Sequence, residues 1–216
     1  MKFKAIKPGV FRKLGKQECR VLLIRHEEYE KNITTENAIK RLIRQGQALK
    51  RAGIKISNAY SSPADRVIIA VYYTKVGLDA AGYTLTVDRL ADLASTNPVL
   101  VNRIKSEARK ANVPFAEYLF RLCKEVKEIA HLMWQRGHEG AEVIWQMASN
   151  KGGQTIIVGS HGGTRIEVII AALKGNLKED NIEMPKVFVQ KGQITELILN
   201  VRKTKLVAVN YLKPSK

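Results

Sequence analysis

The segment Arg20-Val-Leu-Leu-Ile-Arg-His-Glu-Glu-Tyr-Glu-Lys-Asn32 governs how the whole chain is read. Arg20 to Ile24 is short, apolar and rich in branched side chains, which reads as a buried strand. The pattern breaks at once into Arg25-His26. A cation and an imidazole at the carboxyl end of a parallel strand stand where open α/β sheets keep their ligands. Taken alone, the pair also fits a plain structural role, with His26 closing the strand and Arg25 solvated. Three later strands end in the same polar way, and that repetition favours a site.

The remaining sequence sets the bounds. A chain of 216 residues suffices for one large domain, and a hydrophobic content of 45% supports a packed core rather than wholesale disorder. Cys19 and Cys123 lie far apart inside apolar patterns, which points to buried reduced thiols, not a disulfide or a zinc site. No run is long and apolar enough to span a bilayer, and the basic N-terminus lacks an apolar segment of the secretory kind. The expected setting is cytoplasmic, with no membrane partner. Lys and Arg total 37 against 20 Asp and Glu, a net charge of +17. Such a field attracts phosphates or nucleic acid, but the basic residues are spread rather than clustered, so nucleic acid is a secondary expectation.

Residues 1–19 form a basic lead-in broken by Pro8-Gly9, and 20–216 read as a single domain. Thr34 or Thr35 caps an amphipathic helix that runs to Ala52 and stops at Gly53. Asn58 to Ser61 is a second strand. Ser62-Pro63 opens a helix with proline in its first turn, Arg66 beside it and Gly77 at its end. Thr84 to Val87 is a third strand, followed by a loop with Asp88, Arg89 and Asp92. Residues from about 95 to 113 form a helical excursion. The apolar recurrence Phe115, Tyr118, Leu119, Leu122, Cys123, Val126, Ile129, Ala130, Met133 predicts one long helix, punctuated by Gly137 and Gly140 before a further helix. Thr155 to Gly159 is a strand, followed by Ser160-His-Gly-Gly163 and a helix to about Leu173. Lys186–Gln190, Gln193–Val201 and Lys205–Leu212 read as closing strands, with Lys191-Gly192 as a hairpin turn between the first two.

The strand ends therefore carry Arg25 and His26, Arg66, Asp92 and His161. Two arginines and two histidines converging at one sheet edge make an anion site, since the guanidinium fork suits phosphate oxygens. Gly162 and Gly163 add backbone N–H groups at a helix start. Other chemistries fit poorly. A nucleophile elbow needs glycine where Val158 stands, and neither a phosphate-binding P-loop nor a dinucleotide fingerprint is present. His131 and His138 lie seven apart with Gly137 between them and no carboxylate or thiol pattern, so they read as surface histidines rather than metal ligands.

In these residues the sequence resembles the histidine phosphatases, the phosphoglycerate mutase-like superfamily. That family opens with Arg-His-Gly after its first strand and an asparagine six residues past the histidine; here stand Arg25, His26 and Asn32. Its Ser-Ser-Pro-x-x-Arg is intact as Ser61 to Arg66, and its Ser-His-Gly-Gly is intact as Ser160 to Gly163. Its Leu-x-Glu appears as Leu90-Ala91-Asp92, with the shorter acid. The resemblance covers roughly residues 20–212. It implies a three-layer α/β/α fold with a mostly parallel central sheet and helices on both faces. Glu27 departs from the family glycine and Asp92 from its glutamate.

The resemblance further implies a phosphomonoester phosphatase. His26 would be the nucleophile, forming phosphohistidine. Arg25, Arg66 and His161 would clamp the phosphoryl oxygens, with Asn32 and Gly162 adding hydrogen bonds. Asp92 would give a proton to the leaving oxygen, for which it must hold that proton against the clustered cations. Asp65 and Asp88 are weaker candidates. No cofactor or metal is expected, because the arginines supply the charge a metal ion would. The expected partner is a small phosphorylated substrate, and oligomeric state is left open, a homodimer included. Glu27 is a specificity candidate, expected to turn outward or pair with Arg66 or Arg165. If it faces the pocket instead, it repels a phosphate dianion, and the protein becomes a weakened phosphatase-fold module that binds a phosphorylated ligand. A phosphomutase is the other alternative.

Overall fold

The central strand, β2 (Glu18–Arg25), is flanked on both sides, which explains its unbroken apolar run. The computed structural model describes residues 4–26, 29–30, 33–162, 165–183, 185 and 188–214. In chain order the strands are β1 (Lys4–Ile6), β2, β3 (Tyr29–Glu30), β4 (Ile33–Thr34), β5 (Asn58–Ser61), β6 (Thr84–Thr86), β7 (Thr155–Ser160), β8 (Ile194–Asn200) and β9 (Lys205–Pro214). The helices are α1 (Glu36–Arg51), α2 (Asp65–Leu78), α3 (Leu93–Thr96), α4 (Pro98–Lys110), α5 (Phe115–Glu125), α6 (Lys127–Ala148) and α7 (Ile166–Leu173). Seven strands form one sheet in the order β1-β9-β8-β2-β7-β5-β6, and β3 pairs with β4 as a small ribbon. β2, β7, β5 and β6 run parallel, while β8 returns antiparallel to β2 and to β9.

Alternation along β2 sends its side chains to two layers. Cys19, Val21 and Leu23 join Ile144, Ala148, Ile166 and Ile169 on the α6/α7 face. Leu22 and Ile24 join Leu42, Leu49, Ala70 and Val71 on the α1/α2 face. The architecture is the expected three-layer α/β/α arrangement. A third cluster, including Leu93, Ile104, Leu119, Phe120 and Met133, holds the excursion against the first half of α6. Cys19 and Cys123 are buried free thiols, and burial pushes both up to about 12.

Local signals act largely where expected. Thr35 is the N-cap of α1, its hydroxyl accepting from the Ala38 N–H at 3.2 Å. Gly53 follows the helix end with φ +80°. Several expectations are corrected. Helix α2 starts at Asp65, so Pro63 precedes its cap at Ala64 instead of occupying the first turn. Gly77 does not end that helix; Asp79 caps it in the left-handed region. The long periodic segment divides at Val126, whose extended backbone (φ −126°, ψ 105°) separates α5 from α6. Gly137 and Gly140 lie inside the continuous α6. The last correction concerns residues 188–190, which are not a strand. Their polar groups are used by side chains: Val189 N–H donates to Glu167 Oε1 at 2.8 Å, and Arg25 Nη1 donates to Val189 O. Lys191-Gly192 is therefore not a hairpin turn.

Helical glycines here serve close approach. A Cβ on Gly46 of α1 would lie 2.8 Å from Gly77 Cα and the Leu78 nitrogen, and one on Gly77 would lie 2.9 Å from the Ile43 carbonyl carbon. These obstacles are backbone, which cannot rotate away. Alanine normally favours an exposed helix over glycine by about 1 kcal/mol. Here the sign should reverse: Gly46→Ala should destabilise by about 1–3 kcal/mol, the usual range for overpacking. Equilibrium urea unfolding of the two proteins checks this, and an unchanged or higher midpoint would contradict the α1/α2 contact.

Candidate active site

Strand register builds the site. Arg25 lies opposite Ser160 in the β2/β7 pair, so the next residues, His26 and His161, leave neighbouring strands at one level. Ser61 lies opposite Gly159 and also opposite Thr86, so Ser62 and the turn after β6 emerge at the same edge. Arg66 follows on the first turn of α2, and a 3₁₀ turn over Asp88–Leu90 delivers Asp92.

The side chains converge. The His26 and His161 rings stand 5.8 Å apart, centre to centre, at 64°. Arg66 Nη2 donates to Asp92 Oδ2 at 2.5 Å and lies 3.5 Å from His161 Nδ1. His161 Nδ1 is 3.4 Å from the same Asp92 oxygen, and its Nε2 contacts Ser62 Oγ at 2.8 Å. His26, Asp92 and His161 are all buried. Arg25 lies against Gly162, where an added Cβ would come within 2.8 Å of the guanidinium carbon. Glycine is needed there for space, in addition to the anion-binding role its N–H was expected to play. The His26 carbonyl is fixed by the Gly192 N–H at 3.2 Å.

The site is a cationic pocket with one carboxylate. Burial pushes His161 well below its ordinary value, to about 3; Arg66, His26 and Arg165 add to this and Asp92 opposes it. The ring is therefore neutral near pH 7. Its one N–H lies either on Nε2, donating to the Ser62 hydroxyl, or on Nδ1, donating toward Asp92.

Among the residues expected at the site, His26, Arg66, Asp92 and His161 come together, with Arg25 alongside on Gly162. Asp65 and Asp88 are exposed. Glu27, Asn32 and Gly163 lie outside the described residues. Sequence reading missed Ser62 as a partner of His161, although it lies within the serine-proline motif. It also missed Arg136 and Arg165, whose positions in α6 and at the start of α7 give no local signal. His131 and His138 share α6, since Gly137 does not interrupt it. His131 Nδ1 meets Glu179 at 2.6 Å, and among the described residues no cluster suited to a metal ion forms there. A cleft of about 660 Å³ at the opposite edge of the sheet includes Phe11, Arg12, Arg20 and Lys55. Arg12 is neutralised there by Glu18 and Arg20 by Glu196, each at 2.7 Å, so that cleft lacks the reactive constellation.

No protein-family model matches the chain, and no curated protein matches it in sequence. Solved structures do match in shape. A phosphoglycerate mutase from Bacillus anthracis superposes with a TM-score of 0.63 at 16% identity, over 91% of this chain and 94% of that one. A phosphoserine phosphatase from Entamoeba histolytica, in complex with 3-phosphoglyceric acid, gives 0.56 at 17% identity over 90% and 97%. The protein histidine phosphatase SixA, complexed with tungstate, gives 0.54 at 13% identity over 89% and 96%. The chain thus has the phosphoglycerate mutase-like fold.

Proposed function

We propose that this protein is a phosphomonoester phosphatase that acts on a small phosphorylated substrate through a phosphohistidine on His26. The observation that carries the reading is the meeting of His26, His161, Arg66 and Asp92 at the carboxyl edge of the parallel strands, with the two imidazoles 5.8 Å apart. A phosphoryl group between the rings would sit among cations, and no other described cluster offers a nucleophile, an anion clamp and a proton donor together. The similarity to a mutase and to phosphatases supports the same reading.

In this scheme a neutral ring nitrogen of His26 attacks phosphorus in line, and the bond from phosphorus to the ester oxygen breaks. Arg25, Arg66 and His161 stabilise the equatorial oxygens, with Asn32 and Gly162 as further donors. Asp92 passes its proton to the departing oxygen. An arriving phosphate dianion draws Arg66 from the carboxylate and places negative charge nearby, which favours a proton on Asp92. Water then attacks phosphohistidine, giving its proton back to Asp92, and His26 is restored as phosphate leaves. The net charge of +17 favours encounter with such anions. Glu27, the residue that departs from the family glycine, tunes substrate choice.

Rapid quench during turnover of a good substrate should trap phosphate on His26 as an acid-labile, base-stable adduct. His26→Ala should abolish both adduct and turnover. Label on an aspartate or serine, or near-normal activity in His26→Ala, would rule out the mechanism. Protein that binds phosphate without turnover would instead match the binding-module alternative.

Phosphate or vanadate should raise the Tm by mass action. Arg25→Ala and Arg66→Ala should each remove most of that shift, since a charge-assisted hydrogen bond contributes about 1.5–3 kcal/mol. Thermal melts with and without the anion check this, and an undiminished shift in both variants would place the anion elsewhere.

Stability should also report His161. Its value is near 3 in the native protein against an ordinary 6.5. Between these the unfolded chain binds one more proton, so stability rises with pH through the window and falls on acidification. Well inside the window the slope is about 1.4 kcal/mol per pH unit. Urea midpoints from pH 4 to 7 should show this dependence reduced by one proton in His161→Gln. Equal slopes would contradict a buried neutral ring.

A further inference from the structure

Two buried arginines bond to the backbone around Asp92. Arg136 of α6 is 8% exposed, and Arg165, the N-cap of α7, is 1% exposed. Among the described residues neither forms an ion pair. Burying two like charges without carboxylates is costly unless their hydrogens are well used. Here the terminal nitrogens of both are used on backbone and hydroxyl oxygens, chiefly of residues 89–96, while Arg165 Nε has no partner among the described residues. Arg136 Nη2 donates to the Ala91 carbonyl, and its Nη1 donates to Thr96 Oγ1 at 3.0 Å. That hydroxyl donates to the Asp92 carbonyl at 3.3 Å. Arg165 donates to the carbonyls of Arg89 and Arg136. The peptides on both sides of Asp92 are thus tied to a single guanidinium, and a second guanidinium holds the backbone carbonyl of the residue that carries the first.

The glycines of α6 make this possible. A Cβ on Gly140 would lie 2.5 Å from Ile169 Cγ1 and 3.5 Å from Arg165 Cζ, and one on Gly137 would lie 3.0 Å from the Val168 carbonyl oxygen. Without side chains at these two positions, α7 packs directly on α6 and brings Arg165 to the turn that carries Asp92.

Arg66 holds one Asp92 oxygen directly, but in the catalytic scheme it is drawn to the phosphate. We propose that Arg136, backed by Arg165, is a positioning residue that keeps Asp92 aimed at the leaving oxygen once substrate has engaged Arg66. This rests on the phosphatase reading and on Asp92 as the proton donor. Arg136 touches no reacting atom. Its effect runs through the backbone of residues 91–96, so in the phosphoryl-transfer step it should matter only when the leaving group needs a proton.

The test compares two esters. The leaving group of 4-nitrophenyl phosphate departs without protonation, whereas an alkyl phosphate needs the acid. Arg136→Met should lower kcat/KM on the alkyl ester tens-fold, part of the 10²–10⁴ that a positioned acid contributes, and change kcat/KM on the aryl ester by less than about threefold, because kcat/KM reports the steps up to loss of the leaving group and not the later attack of water. In an Asp92→Asn background the same substitution should add almost nothing, and Arg136→Lys should recover part of the loss. The vanadate-induced Tm shift should persist in Arg136→Met, showing an intact anion site. If that variant does not fold, Arg136→Lys carries the comparison with a smaller loss in the same ester order. Equal losses on both esters, additivity with Asp92→Asn, or a lost vanadate shift would overturn the positioning role while leaving the phosphatase reading in place. Wild-type protein silent on both esters would overturn both.

Discussion

The arrangement of this molecule depends on one pairing, the parallel register of β2 against β7 that sets Arg25 opposite Ser160. Because both strands are buried on both faces, a slip of one residue would turn every apolar side chain to the wrong layer. Close packing in two differently shaped apolar layers therefore holds the register firmly, and with it the level at which His26 and His161 leave the sheet. The residues that carry the proposed chemistry do not have to find one another. They are delivered by strands whose position is fixed by Val21, Leu23, Ile156 and Val158.

What the register brings together is electrostatically expensive. Two imidazoles and two guanidiniums stand around one carboxylate, with little solvent to screen them. The protein meets this cost in two ways. One imidazole is kept neutral by burial, and Arg66 is paired with Asp92 at 2.5 Å. The site is thus balanced for an incoming dianion and strained toward accepting one, which is the condition for binding that strengthens as charge develops on phosphorus.

Much of this was legible in the sequence because it is local or in fixed order. Arg25-His26, the serine-proline stretch up to Arg66, and Ser160 to Gly162 each combine a strand end with the residues that follow, and short-range patterns report such units faithfully. Thr35 and Gly53 marked their helix ends for the same reason. Other features were misread because they depend on distant partners. Gly77, Gly137 and Gly140 look like helix breakers, but another helix lies against them, and contact with a neighbour outweighs intrinsic preference. Residues 188–190 have the composition of a strand, but Glu167 and Arg25 occupy their backbone groups. Ser62, Arg136 and Arg165 went unassigned because a side chain that acts across 29 to 99 residues leaves no periodic trace.

Helix α6, 22 residues and so about 33 Å long, has one half in the sheet core and the other in the core of the excursion. It works as a beam whose sheet half is fixed by the strands. The break at Val126 frees α4 and α5 from that beam's direction, and they pack on it through the third apolar cluster. Change over residues 98–125 is then a change of attachment, not of frame.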